Sequence, residues 1–109
     1  MQLNKTQPPV PGNRKHPYVT VTVELFGNAR LIAKRSMLKI DLLSEIAADD
    51  VARSLAKIQP ELVGEIIEPD GTLMSSYTIN LNGVLFISDV RVSIKDGDRI
   101  LLFSSQAGG

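Results

Sequence analysis

A two-layer α+β fold, with one helix packed on one face of a mixed sheet, is what three features of this sequence predict. Apolar and polar residues alternate through YVTVTVELF near the start; the apolar spacing switches to a helical stripe after Asp50; and Asn-Gly and Asp-Gly turns punctuate the apolar runs of the last third. At 109 residues the chain has the size of one domain with a real core.

Each element can be justified in turn. In Tyr18 to Phe26, Val19, Val21, Val23 and Leu25 face one way and Thr20, Thr22 and Glu24 the other, as in a half-buried strand. Gly27-Asn28 breaks it and a short link follows. Met37 to Leu42 alternates again with Leu38, Ile40 and Leu42 inward, so the two strands should form a hairpin. Val51, Leu55, Ile58 and Leu62 then fall on one stripe of a helix whose start is favoured by Asp49 and Asp50. Pro60 ends or kinks it, Glu61 to Ile67 adds another short turn, and Pro69-Asp70-Gly71 is turn chemistry. Tyr77 to Leu81 reads as a third strand, Asn82-Gly83 as a tight turn, Val84 to Ile87 as a short fourth strand, and Arg99 to Phe103 as the last strand after the Asp96-Gly97 turn. Because a helix separates the opening hairpin from the later strands, the last strand can pair in parallel with the first. That arrangement is a β-grasp.

The expected organisation is a disordered extension over 1–17, which holds four of the six prolines and few large apolar residues, a folded domain over 18–103, and a flexible tail over 104–109. Twelve basic and twelve acidic residues cancel, which leaves no net field for nucleic acid or an anionic membrane. No stretch approaches a membrane span and no apolar secretory region is present, so the cytoplasm is the expected compartment. Cysteine is absent, which removes disulfides, thiolate metal sites and a cysteine nucleophile together. The single histidine, His16, falls in the extension and is read as incidental.

Little else supports self-contained catalysis. Asp49-Asp50 and Asp96/Asp98 have structural duties as a helix start and a turn, and no base or nucleophile accompanies them. A phosphate loop and a Ser-His-Asp set are both missing, and Asp96-Gly97-Asp98 is too short for a calcium loop. What remains is the last strand and its end, KDGDRILLFSSQAGG. If Ile100 and Leu102 face the helix, Leu101 and Phe103 point out of the sheet, with Tyr18 or Phe26 beside them depending on register. They are either covered by a neighbouring loop or form a docking patch from whose edge the tail issues. Six residues beyond Phe103 extend at most ~20 Å, and Gly108 and Gly109, lacking Cβ atoms, suit a narrow channel. A terminal carboxyl is ionised and unreactive at neutral pH, so it becomes an acyl donor only when another enzyme activates it.

Element order and terminus together resemble the MoaD/ThiS family of ubiquitin-related sulfur carriers, most nearly the small subunit of molybdopterin synthase, over about residues 18–109. The most specific part is KDGDRILLFSSQAGG; VTVELFGNARLIA, LAKIQPEL and INLNGVLF support it. The resemblance implies a carrier that binds no cofactor itself. An adenylyltransferase of the ubiquitin-activating type (MoeB/ThiF-like), using ATP-Mg, would adenylate Gly109; a sulfur-donor enzyme would convert it to a thiocarboxylate; and a large synthase subunit (MoaE-like) or another acceptor would take the sulfur. On this resemblance Gly109 carries the reacting carboxyl, Gly108 allows channel entry, and Phe103, Leu101 and Ala107 contact the partner. Thiamine, cysteine or tRNA thiolation are alternative destinations, and a ubiquitin-like protein modifier is the alternative of a different class. The sequence departs from the family pattern in Ser104-Ser105, where proline often stands, in the absence of a capping Ser or Thr around Ala47-Ala48, and in the N-terminal extension.

Overall fold

The computed structural model describes residues 17–105. The expectations for residues 1–16, and for Ala107, Gly108 and Gly109, lie outside the described residues.

The alternating opening segment forms β1, Tyr18–Leu25, with Val21, Val23 and Leu25 buried. It pairs antiparallel with β2, Met37–Leu43, in a register that sets Tyr18 opposite Leu43 and Glu24 opposite Met37. The link between them is not a simple loop but a helix, α1, Gly27–Ala33. It buries Ala29 and Ala33, one turn apart, and closes on Lys34 in the left-handed region (φ 60°), whose N–H donates to the Arg30 carbonyl at 2.8 Å. Two small residues are too weak a stripe to announce a seven-residue helix, which tertiary packing stabilises instead.

After β2 comes a two-residue strand, β3, Glu45–Ile46, and then the main helix, α2, Ala48–Ile58. The helix has no capping hydroxyl at Ala47. Its start is held by Asp50, whose Oδ2 accepts from the Ala47 N–H at 2.8 Å, while Asp49 Oδ1 accepts from the Leu73 N–H at 3.1 Å. Val51, Ala52 and Leu55 are buried as the stripe predicts, but Ile58 is 47% exposed. At the last residue of α2, Ile58 lines an open groove beside Ile40 and Leu42 of the edge strand rather than the core. The chain then kinks at Gln59, and Leu62 reaches the core from a separate 3-10 turn, Pro60–Leu62.

The remaining strands are β4, Tyr77–Leu81; β5, Leu85–Ile87; a second short strand, β6, Val92–Ser93, that pairs with β3; and β7, Arg99–Ser104. Asn82 and Gly83 both take positive φ (58° and 75°) at the centre of a tight turn that the Val84 N–H closes on the Leu81 carbonyl at 3.0 Å. The five-stranded sheet has the order β2-β1-β7-β4-β5. β7 lies in the middle, parallel to β1 and antiparallel to β4, as a β-grasp requires. Ile100 and Leu102 point into the core with the inward residues of β1, β2, β4 and α2. Among the described residues no helix is long and apolar enough to cross a membrane.

Candidate functional site: the outer sheet face and the root of the tail

The helices cover one face of the sheet, so the alternate residues of every strand line the other. On β7 these are Arg99, Leu101 and Phe103, with Leu101 and Phe103 half-buried. The parallel register of Leu25 with Leu102 brings Phe26, 45% exposed, alongside Phe103, and the Phe26 N–H donates to the Leu102 carbonyl at 3.1 Å. From the other side β4 sets Thr78 opposite Phe103 and Asn80 opposite Leu101, and β5 sets Phe86 opposite Asn80. The Phe86 and Phe103 rings meet at 6.4 Å between centroids, tilted by 57°. All three phenylalanines of the chain therefore lie on the face away from the helices, and none is in the core. Of the two expected companions of Leu101 and Phe103, Phe26 joins them and Tyr18 lies at the far end of β1.

This face is graded. Its tail-side half is aromatic, whereas exposed Val84 and Leu85 lie at the β4–β5 hairpin beside the start of β7. The opposite half is polar: Arg99 and Glu24 pair at 3.5 Å, Thr20 Oγ1 donates to Asp41 at 2.6 Å, and Asp96 accepts from the Thr20 N–H at 2.8 Å. Asn80 sits between Leu101 and Phe86, and its Oδ1 is buried with no hydrogen-bond partner among the described residues. The place of Phe86 on this face was not foreseen from the sequence. A two-residue Asn82-Gly83 loop would set Phe86 opposite Ile79 on the core side, but Leu81 pairs with Leu85, and the third loop residue, Val84, turns Phe86 to the face of Asn80.

The tail leaves from the aromatic half. β7 runs one residue further than expected, to Ser104, and Ser105 donates from its N–H to the Ser76 carbonyl at 2.8 Å and from its hydroxyl to the Ser75 carbonyl at 3.4 Å.

At the other end of β7, the Lys-Asp-Gly-Asp turn is a structural clamp. Asp98 is buried, and its carboxylate accepts from the Lys95 N–H (2.9 Å), the Asn82 side-chain amide (3.1 Å) and the Lys95 ammonium (3.2 Å). Burial pushes this carboxyl up, but those donors and the Lys95 charge outweigh burial and hold it below the usual carboxylate range. Asn82 in turn accepts from the Arg99 N–H at 2.9 Å, so both turns are locked to the start of the central strand. The Asp49-Asp50 pair is likewise engaged, Asp50 reaching Arg91 at 3.1 Å. Among the described residues no three His, Cys, Asp or Glu side chains gather as a metal site would need.

No family model matches the chain, and no curated protein does. Solved structures do. Small archaeal modifier protein 1 of Haloferax volcanii superposes with a TM-score of 0.67 at 21% identity, over 83% of this chain and 99% of that one. Its namesake from Methanosarcina acetivorans gives 0.66 at 27% identity, over 84% and 98%. A Pyrococcus furiosus structure assigned to molybdopterin converting factor, subunit 1, gives 0.59 at 22%, over 79% and 97%.

Proposed function

We propose that this chain, which takes the ubiquitin-related β-grasp fold of the MoaD/ThiS-like proteins, is a sulfur carrier that works through Gly109. The observation that carries the reading is the placement of β7. The central strand presents Leu101 and Phe103 in an aromatic cluster and continues from that cluster into Ser104-Ser105-Gln106-Ala107-Gly108-Gly109. A partner that covers the aromatic face has the tail directed at it. Ser105 is tied back to Ser75 and Ser76, so the reach available is that of the four residues after it, at most about 14 Å.

In this reading Gly109 bears the free carboxyl of the working protein. An adenylyltransferase joins that carboxylate to the α-phosphate of ATP-Mg with loss of pyrophosphate. The terminal sulfur of a donor's persulfide displaces AMP, forming the C–S bond, and a thiol reductant cleaves the S–S bond to free the thiocarboxylate. Molybdopterin synthesis, through a large synthase subunit in the cytoplasm, is the destination we favour, and the converting-factor subunit among the structural neighbours supports it. The modifier reading, in which the activated Gly109 acylates lysine amines, is supported by the two small archaeal modifier proteins.

Mass spectrometry separates the two. The chain is isolated from its host and the C-terminal peptide fragmented. Exchange of one oxygen for sulfur on Gly109 is the expected result; an isopeptide between Gly109 and a lysine in place of any thiocarboxylate would assign the modifier. A free carboxylate that persists with ATP-Mg, adenylyltransferase and persulfide donor supplied would overturn both.

A further inference from the structure

We propose a second binding site, remote from the aromatic face, at the open edge of β2, where an extended acidic peptide adds a strand to the sheet and lays aliphatic side chains into the groove beside α2. The sheet order leaves β2 as an edge strand with neighbour β1 on one side only. The ladder fixes which of its backbone groups are free. The Leu25 N–H donates to the Ser36 carbonyl and the Ser44 N–H to the Pro17 carbonyl. In that register Leu38, Ile40 and Leu42 exchange hydrogen bonds with β1, and the N–H and C=O of Lys39, Asp41 and Leu43 point outward. Among the described residues none of those outward groups has a hydrogen-bond partner.

An edge strand is usually guarded by a charge such as Lys39, but a guard does not account for the groove next to it. Between β2 and α2 lies an open cavity of about 580 Å³, floored by Ile40, Leu42 and Ile46 and walled by half-exposed Ile58. An added strand places every second side chain over this floor, so aliphatic residues at alternate positions fit it. The rim selects charge. Lys39 and Lys57 have no ionic partner among the described residues, while Arg53 is shared between a 4.0 Å contact with Asp50 and the charge of Asp70. The acids on the same rim are engaged, Asp41 by Thr20 and Asp50 by the Ala47 N–H and Arg91. The groove therefore offers a surplus of positive charge to carboxylates flanking the aliphatic run.

The site makes no use of Gly109 or the aromatic face, so it stands or falls separately from the carrier reading. The test is titration of the full-length, nitrogen-15-labelled chain with the synthetic peptide acetyl-Glu-Glu-Val-Thr-Val-Thr-Val-Thr-amide, followed by NMR. We expect amide shifts at Lys39, Asp41 and Leu43 and along Arg53 to Ile58, with the Phe86 and Phe103 amides unmoved. Replacing the two Glu by Lys should weaken binding by about tenfold and K57E by about threefold, because each exposed pair contributes a fraction of a kcal/mol. Absence of shifts at the β2 edge up to about 1 mM peptide, a concentration at which even weak peptide contacts register, would overturn the proposal. So would equal affinity for the Lys-Lys peptide. Slow amide exchange at Lys39, Asp41 and Leu43 without peptide would also overturn it, since the edge would then be paired already, by residues 1–16 or by a second copy.

Discussion

Leu102 and Phe103 are chain neighbours on opposite faces of the central strand, and truncating each to alanine separates folding from docking. Leu102 is 0% exposed among the core residues of β1, β4 and α2, so Leu102→Ala should lower stability by roughly 2–5 kcal/mol, the range for a core leucine that leaves a cavity. Phe103 is half-buried, and its recorded ring partner is Phe86, itself 63% exposed. If about 100 Å² of the Phe103 ring is shielded, then at about 25 cal/mol per Å² its loss costs at most roughly 2.5 kcal/mol. No closed cavity forms on an open face, so the expected cost is roughly 1–2 kcal/mol. Binding should respond in the reverse order. An aromatic anchor at the centre of an interface contributes roughly 1–3 kcal/mol, so Phe103→Ala should weaken association with the adenylyltransferase from about fivefold to over a hundredfold. Urea unfolding followed by circular dichroism measures the first quantity and calorimetric titration of the folded variants the second. Equal stability losses for the two variants, with unchanged affinity for folded Phe103→Ala, would refute the assignment of Phe103 to a docking face.

Three further outcomes are expected. Asp98→Asn keeps one acceptor oxygen but turns an amide N–H toward groups that are all donors, so urea unfolding at neutral pH should show a loss of roughly 1–3 kcal/mol; a loss under 0.5 kcal/mol would remove the clamp role. Because the folded carboxyl lies below its ordinary value, Asp98 contributes stability above about pH 4 that is lost as pH falls through the folded pKa, and an acid titration of Asp98→Asn should lack that component of the decline. Gly83→Ala should cost about 1 kcal/mol through φ alone (+75°), since a Cβ there meets no heavy atom within 4 Å; thermal unfolding unchanged from the parent would mean that the turn relaxes freely. Deleting Gly109 should abolish adenylation while leaving the unfolding midpoint within a few tenths of a kcal/mol, and a deletion variant that is still adenylated would remove Gly109 from the reaction.

The sheet was legible because its signals are local and reinforce one another. Val21, Val23 and Leu25 alternate with polar residues, and the two Gly turns at Gly83 and Gly97 both take positive φ. The missed elements share one cause, which is length. α1 has two buried alanines to declare it, and β3 and β6 have two residues each, so their stability comes from neighbours that sequence spacing does not reveal. Ile58 failed for another reason. Its spacing places it correctly on the stripe of α2, but whether a stripe position meets the core or an open groove at the sheet edge is a property of the assembled layers.

The distribution of aromatic residues joins these points to function. The core is filled by Val, Ile, Leu and Ala, and the chain's three phenylalanines, its largest apolar side chains after the tyrosines, lie on the face opposite the helices. Burial alone would draw phenylalanine inward, since each ring removes on the order of 150–250 Å² from water when enclosed. A solvated β-face without another duty would carry Thr, Lys and Glu throughout, as the Thr20, Lys39 and Glu24 half of this face does. The aromatic half departs from that rule only where β7 hands over to the tail, with a buried acceptor on Asn80, unpaired among the described residues, at its centre. Stability of the isolated domain accounts for neither feature. A partner that covers the face supplies both the missing desolvation of the rings and a donor for Asn80, and it does so at the place from which the tail departs.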